Sequence, residues 1–276
     1  MASEADWKAE LRLEHPAWDP YRTLLDRLPQ DEFPTPHTLQ TLLSAAVRTQ
    51  SGRPIRFTPA AALDATLGYE EEIAASGRVS TRSDDLHDLC NALVWARFPA
   101  LKAALNARHL DALPTSTSGR RGPVRDALTL FDECGLLVTS ADRAPLERLA
   151  AHDWRGLFGP AGEAWPETMR VHCVGHANLE KLCRPYKGMT GRCLLLHTPG
   201  DELDLEKLDA IMARCWAPGG PLARPADLCP LPHAGIPGWW TGGAQDVAFY
   251  DDPEVFRLPR EGRVPPPVWS TASLTA

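Results

Sequence analysis

The sequence predicts a mostly helical α+β protein, a single domain with a small sheet and a proline- and tryptophan-rich, irregular C-terminal segment. Three observations predict it: five stretches with helical periodicity, four shorter runs with strand character, and proline concentrated in the last quarter. Apolar residues recur every three to four positions over 37–48, 83–98, 100–109, 144–151 and 203–216, and each stretch is bounded by a polar cap or a proline. The runs over 55–58, 136–139, 170–174 and 193–197 are short and largely apolar, which suits strands. Of 26 prolines, 11 follow Trp216, where they exclude long helices and central strands. That segment also carries Trp239, Trp240, Phe249, Tyr250 and Phe256. Such a density of aromatics is expected to wrap over the body, leaving 260–276 as a disordered tail. No repeat or Gly-rich linker divides residues 1–259.

With 43% hydrophobic and 24% charged residues, the composition is that of a globular chain with a sizeable core, which excludes wholesale disorder and coiled coil. The 29 basic and 36 acidic side chains leave a net charge of −7. The molecule as a whole therefore repels polyanions, and nucleic acid is disfavoured as a partner without a local basic patch. No run approaches the roughly 18 apolar residues of a membrane span, and the opening Met1-Ala-Ser-Glu lacks the order of a signal peptide. The expectation is a cytoplasmic protein that does not enter membranes. Its seven cysteines are scattered and form no Cys-x-x-Cys pair, so they read as small buried hydrophobes and not as a disulfide framework or zinc knuckle.

The helix over 83–98 separates two stripes when projected at about 100° per residue. Leu86, Leu89, Cys90, Leu93 and Ala96 form a core stripe, whereas His87, Asn91, Trp95 and Phe98, flanked by Asp84 and Asp88, mix polar groups with large aromatics. That mixture suggests the wall of a cleft; the competing reading is a set of hydrogen-bonded structural groups. Further on, a strand-like 170–174 meets Gly175 and passes into a helical pattern, which puts His176 in a first helical turn, with Glu180 four residues later on the same face. Such a pair could bind a metal or act as acid and base, or simply bond locally.

The stretch from Ser116 to Asp126 contributes Arg120, Arg121 and Arg125 in a Ser/Gly-rich context. Arginine forks suit phosphate or carboxylate, and Arg82 and Lys187 are candidates to join them. A solvated basic loop is the bland alternative. Asp126, Asp132 and Glu133 follow among apolar residues and are candidate oxygen ligands for a hard divalent cation.

Several long motifs carry a resemblance. Tyr69-Glu-Glu-Glu-Ile, the run beginning His87-Asp-Leu-Cys-Asn, the run beginning Arg121-Gly-Pro-Val-Arg-Asp, Gly175-His-Ala-Asn-Leu-Glu, Pro185-Tyr-Lys, Gly235-Ile-Pro-Gly-Trp-Trp and Phe249-Tyr-Asp-Asp resemble, in this order, the bacterial domain-of-unknown-function family 3025. The resemblance spans most of 39–257 and implies one family-wide domain, without an activity, cofactor or catalytic residue attached. Asn178 stands where the pattern has an aliphatic residue, and Gly191-Arg192 where it has Ala-His.

Three function classes follow. The first is a hydrolase or transferase for a small anionic substrate. His87 or His176 would be its base, Asp88, Asn91, Asp126, Asp132, Glu133 and Glu180 its supporting groups, a divalent metal an option, and the arginines an anion clamp. The second is a metal-dependent nuclease of HNH-like type built on His87 and Asn91. The third is a noncatalytic binding module with an aromatic platform at Gly235 to Trp240. Walker, Gly-x-Ser-x-Gly and His-Glu-x-x-His motifs are missing from the chain.

Overall fold

The computed structural model describes residues 7–63, 66–113, 122–160, 164–200 and 203–274. Among these, the helices are α1 (Trp7–Glu10), α2 (Arg22–Leu25), α3 (Pro36–Gln40), α4 (Tyr69–Ser76), α5 (Leu86–Arg97), α6 (Pro99–Asp111), α7 (Pro123–Cys134), α8 (Arg143–Ala151), α9 (Trp154–Phe158), α10 (His176–Lys181), α11 (Leu205–Trp216), α12 (Val247–Tyr250) and α13 (Thr271–Leu274). The strands are β1 (Arg56–Thr58), β2 (Arg78–Ser80), β3 (Gly135–Ser140), β4 (Met169–Cys173), β5 (Thr190–His197), β6 (Cys229–Pro232) and β7 (Val268–Ser270). Helices outweigh strands, and the sheets are small and open: the fold is α+β.

Strand β3 is buried along its whole length, as its near-continuous apolar sequence requires. It pairs antiparallel with β4 on one side and parallel with β5 on the other. The far edge of β5 is shared: β6 runs antiparallel to its first half, and β7 runs parallel to its second half. Pro230 and Pro232 fit in β6 because it is an outer strand, where a missing N–H breaks no central ladder. β1 and β2 form a separate parallel pair.

Capping chemistry sets the helices that face the site. Asp85 caps α5 by accepting from Asp88 N at 3.0 Å. α6 opens on a proline, and the carboxylate of Asp209 in α11 takes its first free N–H groups, those of Ala100 (2.9 Å) and Leu101 (2.8 Å). α7 also has proline at its first position and buries Ala127, Leu128 and Phe131 along one face.

The structure departs from the sequence expectation at three places. The helix over 37–48 stops after Gln40, whose side chain bonds the segment at β1: Nε2 donates to Ile55 O and Oε1 accepts from Phe57 N. The stretch after residue 260 is not a disordered tail in its described part; it supplies β7 and α13, with Trp269 packed against the core. The Gly235 to Trp240 segment is no exposed platform, since Trp239 is buried against the rings of His15 and His233.

The two departures from the family pattern meet at one place. Asn178 Nδ2 donates to Cys134 O (3.1 Å) and lies 3.2 Å from His233 Nε2. A methyl group on Gly191 would fall 2.3 Å from Leu136 and 3.1 Å from that same histidine nitrogen. The close approach of the Leu136 side chain therefore leaves no room for a Cβ at 191 without a shift.

The junction that positions the site is a backbone contact. α7 runs directly into β3, and β4 runs through Val174 and Gly175 directly into α10. Val174 N and Gly175 N both donate to Gly135 O, at 3.0 and 2.9 Å. A Cβ on Gly175 would fall 2.3 Å from Gly135 N and 2.6 Å from Glu133 O. The φ of −81° at Gly175 is open to any residue, so the requirement for glycine is steric. Gly175→Ala is expected to push the two junctions apart and cost roughly 1–3 kcal/mol or more, measured as a lowered urea midpoint. An unchanged midpoint would show that the junction is not under this constraint.

Candidate metal centre and its cavity

Five elements converge on a cavity of about 600 Å³. α5 contributes His87, Asp88 and Asn91; α7 contributes Arg125, Thr129, Asp132 and Glu133; α10 contributes His176; the start of α4 and the far end of α6 close it with Tyr69, Glu70 and His109.

His87 has both ring nitrogens occupied. Its Nδ1 lies 2.9 Å from Glu180 Oε2, and its Nε2 lies 3.0 Å from His176 Nε2. His176 and Glu180 do share a face of α10, but both serve His87 and not each other. Glu133 Oε2 stands 3.6 Å from His176 Nε2. One ligand atom each from His87, Glu133 and His176 lies within 4.8 Å of the others, the one such group of three among the described residues.

Proton bookkeeping at this pair is informative. A carboxylate only accepts, so His87 Nδ1 carries the hydrogen toward Glu180, and in the neutral ring Nε2 is a bare lone pair. His176 is buried; its Nδ1 has no hydrogen bond of ordinary geometry among the described residues, and Asp132 Oδ2 stands 3.8 Å away. With its hydrogen on Nδ1, toward that carboxylate, His176 faces His87 with a second bare lone pair at 3.0 Å. With the His176 hydrogen on Nε2 the contact is an ordinary N–H···N hydrogen bond; with it on Nδ1 the two lone pairs require a cation between them, a proton or a metal ion. Nitrogens bound to one tetrahedral zinc-sized ion at about 2.0–2.1 Å are separated by about 3.3 Å, so a small movement of the two rings from 3.0 Å would admit such an ion.

Burial and neighbouring charges act differently on His176, Asp132 and Glu133. Burial pulls His176 down to about 4, so it is uncharged at neutral pH, the form a metal ligand must have. Burial would raise the Asp132 carboxyl, but the Lys102 ammonium at 2.6 Å and His176 outweigh it and hold it below its ordinary value. Burial raises Glu133, against the pull of His87. Thiols play no part: burial pushes Cys183, Cys215 and Cys229 up to about 12.

Several candidates from the sequence are engaged with other partners or lie outside the cavity lining. Trp95 and Phe98 are core residues, 1% and 0% exposed, so only the first half of α5 walls the cavity. Asp88 binds Arg82 through three hydrogen bonds of 2.6–3.0 Å, and Arg82 also pairs with Asp85 at 3.0 Å; these two residues brace the entry to α5. Asp126 is exposed and outside the lining. Lys187 pairs with Asp252 at 2.6 Å and sits 4.7 Å from the Phe249 ring, so it ties down α12 and does not join an arginine clamp. Arg120 and Arg121 lie outside the described residues. Of the clamp, Arg125 remains in the cavity without an ion pair among the described residues.

Sequence reasoning missed Lys102, Asn106 and His109. They recur on one face of α6 and are all buried, a polar stripe at helical spacing that could have flagged them. Lys102 serves Asp132, and Asn106 Nδ2 donates to Glu70 Oε2 at 2.7 Å.

The fold and the centre together define an α+β protein with an interior His–His–carboxylate cluster. The chain belongs to the family described as protein of unknown function DUF3025, whose model matches residues 55–260, a span that includes every residue of the cluster. Neither the curated proteins nor the solved structures contain a match. Among the described residues, no helix is long and apolar enough to cross a membrane.

Removing the lysine should expose the cost of the buried acid. Lys102→Met is expected to destabilise by roughly 3–5 kcal/mol, because it leaves Asp132 uncompensated, and adding Asp132→Asn should recover much of that loss. Equal urea midpoints for the single and double variants would dissociate the two residues.

Proposed function

We propose that the protein is a metal-dependent hydrolase acting on a small anionic substrate. The observation that carries this reading is the pair of Nε2 atoms of His87 and His176, 3.0 Å apart, with the Glu133 carboxylate beside them. Two histidines and one carboxylate are a donor set that holds zinc or a similar divalent ion and leaves positions open for water and substrate. Glu180 on His87 Nδ1 and Asp132 near His176 Nδ1 act as the outer carboxylates that fix ring orientation and raise ligand basicity.

His87, Glu133 and His176 would hold the ion, which would supply a water activated toward neutrality for attack on the substrate's electrophilic atom. The same centre becomes a transferase when a substrate hydroxyl or amine takes the place of water. The HNH-like alternative is not favoured: Asn91 Nδ2 donates to the Tyr69 hydroxyl (2.9 Å), and the net charge of −7 disfavours a nucleic-acid backbone. A cytoplasmic location fits this reading.

Calorimetric titration with Zn²⁺ or Mn²⁺ should give one site per chain. His87→Ala and His176→Ala should each weaken that site at least tenfold while the far-ultraviolet circular dichroism is kept. Undiminished affinity in both variants would place the metal elsewhere.

A further inference from the structure

A second cavity, of about 810 Å³, shares no lining residue with the metal centre. It lies where the parallel strands β3 and β5 end. β3 reaches it with Thr139 and the following Ala141, β5 with the following Thr198 and Gly200, before the chain turns into α8 and α11. In open sheets, the crevice outside the carboxyl ends of parallel strands is a recurrent ligand site, and the volume falls in the range of small-molecule sites, about 300–1,000 Å³. Its walls are mainly apolar, drawn from Trp165, Leu203, Leu205, Leu208, Ile236 and Trp239.

Three polar groups in this lining are unpaired and open. Thr139 and Thr198 are 7% and 8% exposed, and their hydroxyls form no hydrogen bond among the described residues, yet neither oxygen is among the unpaired polar atoms sealed inside the protein. Thr139 stands opposite Leu196 in the parallel register, and Thr198 N continues the ladder by donating to Ser140 O at 2.9 Å. The two threonines therefore share one face of the sheet. Trp239 is buried, but its Nε1 is open and unpaired, in contrast to the sealed Nε1 atoms of Trp18, Trp95, Trp216 and Trp269.

The charged residues around the cavity are engaged. Asp19 accepts from Arg22 Nε (2.8 Å), Asp204 accepts from Lys207 N (2.8 Å), and Arg170 donates to the carbonyls of Glu167 and Met169. His172 is engaged as well. A charged ligand would give up its hydration without gaining a counter-charge, whereas open hydroxyls and an indole N–H match a neutral oxygen acceptor.

We propose that this second cavity binds a neutral, largely apolar molecule that carries a carbonyl or ether oxygen. The Thr139 and Thr198 hydroxyls donate to that oxygen, and Leu205 and Leu208 of α11 enclose the apolar body together with the indoles of Trp165 and Trp239. The Trp239 N–H offers a further donor. Occupancy requires no metal, because nothing in the lining belongs to the histidine cluster.

The test uses the full chain and 6-propionyl-2-(dimethylamino)naphthalene, a neutral ketone whose emission moves to the blue in apolar surroundings. Saturable binding with a blue shift is expected, about tenfold or more tighter than for 2-(dimethylamino)naphthalene, which lacks the oxygen, or 6-(dimethylamino)-2-naphthoate, which is charged. The double variant Thr139→Val with Thr198→Val removes both hydroxyls at nearly constant shape. It should erase most of the preference for the ketone and leave the affinity for the oxygen-free compound unchanged, which separates lost hydrogen bonds from a damaged cavity. Leu205→Trp should block both neutral compounds while the far-ultraviolet circular dichroism is kept. Absence of saturable binding, equal affinity for the three compounds, or ketone binding unchanged in both variants would overturn the proposal.

Discussion

The contact between the backbone of Gly175 and that of Glu133 to Gly135 is the constraint on which the site depends. Two covalent junctions, α7 into β3 and β4 into α10, are pressed together there with no side chain between them. Glu133 is the penultimate residue of one helix and His176 the first of the other. Their proximity is therefore fixed by main-chain hydrogen bonds to Gly135 O and not by flexible side chains. α5 then needs only to bring His87 across. Contact with α10 through Glu180 and His176 sets that ring from both sides. The three donor residues thus all sit at helix ends: His87 at the start of α5, Glu133 at the end of α7 and His176 at the start of α10.

Electrostatics at the centre are organised in layers. Lys102 is 4% exposed at its side chain and neutralises Asp132 inside the protein, so Asp132 can remain ionised next to His176 despite burial. His176 is kept neutral by the same burial. The arrangement combines one buried acid held charged, Asp132, with an imidazole that stays uncharged, the form a metal ligand must have.

Much of this was legible in the sequence where a single segment carries the signal. Periodicity located α5, α6, α8 and α11, short apolar runs located β3, β4 and β5, and the strand–Gly–His order placed His176 at a helix start. What sequence could not supply was which side chains meet across segments. Nothing local tells that Glu180 bonds His87 and not His176, or that Asp88 is consumed by Arg82. The tail after 260 was misread because β7 has only three residues and gains its order from the edge of β5, a tertiary effect that local composition does not encode. Proline density was likewise a partial guide, since Pro230 and Pro232 are tolerated in a strand that lies at an edge.

The claim that His87, Glu133 and His176 form a metal centre is tested most directly by X-ray absorption at the metal edge of the full chain loaded with one equivalent of Zn²⁺. The account predicts a first shell of nitrogen and oxygen at about 2.0–2.1 Å, with the outer scattering of two imidazole rings and no sulfur. A shell containing sulfur at about 2.3 Å, or one of oxygen alone without imidazole scattering, would contradict it.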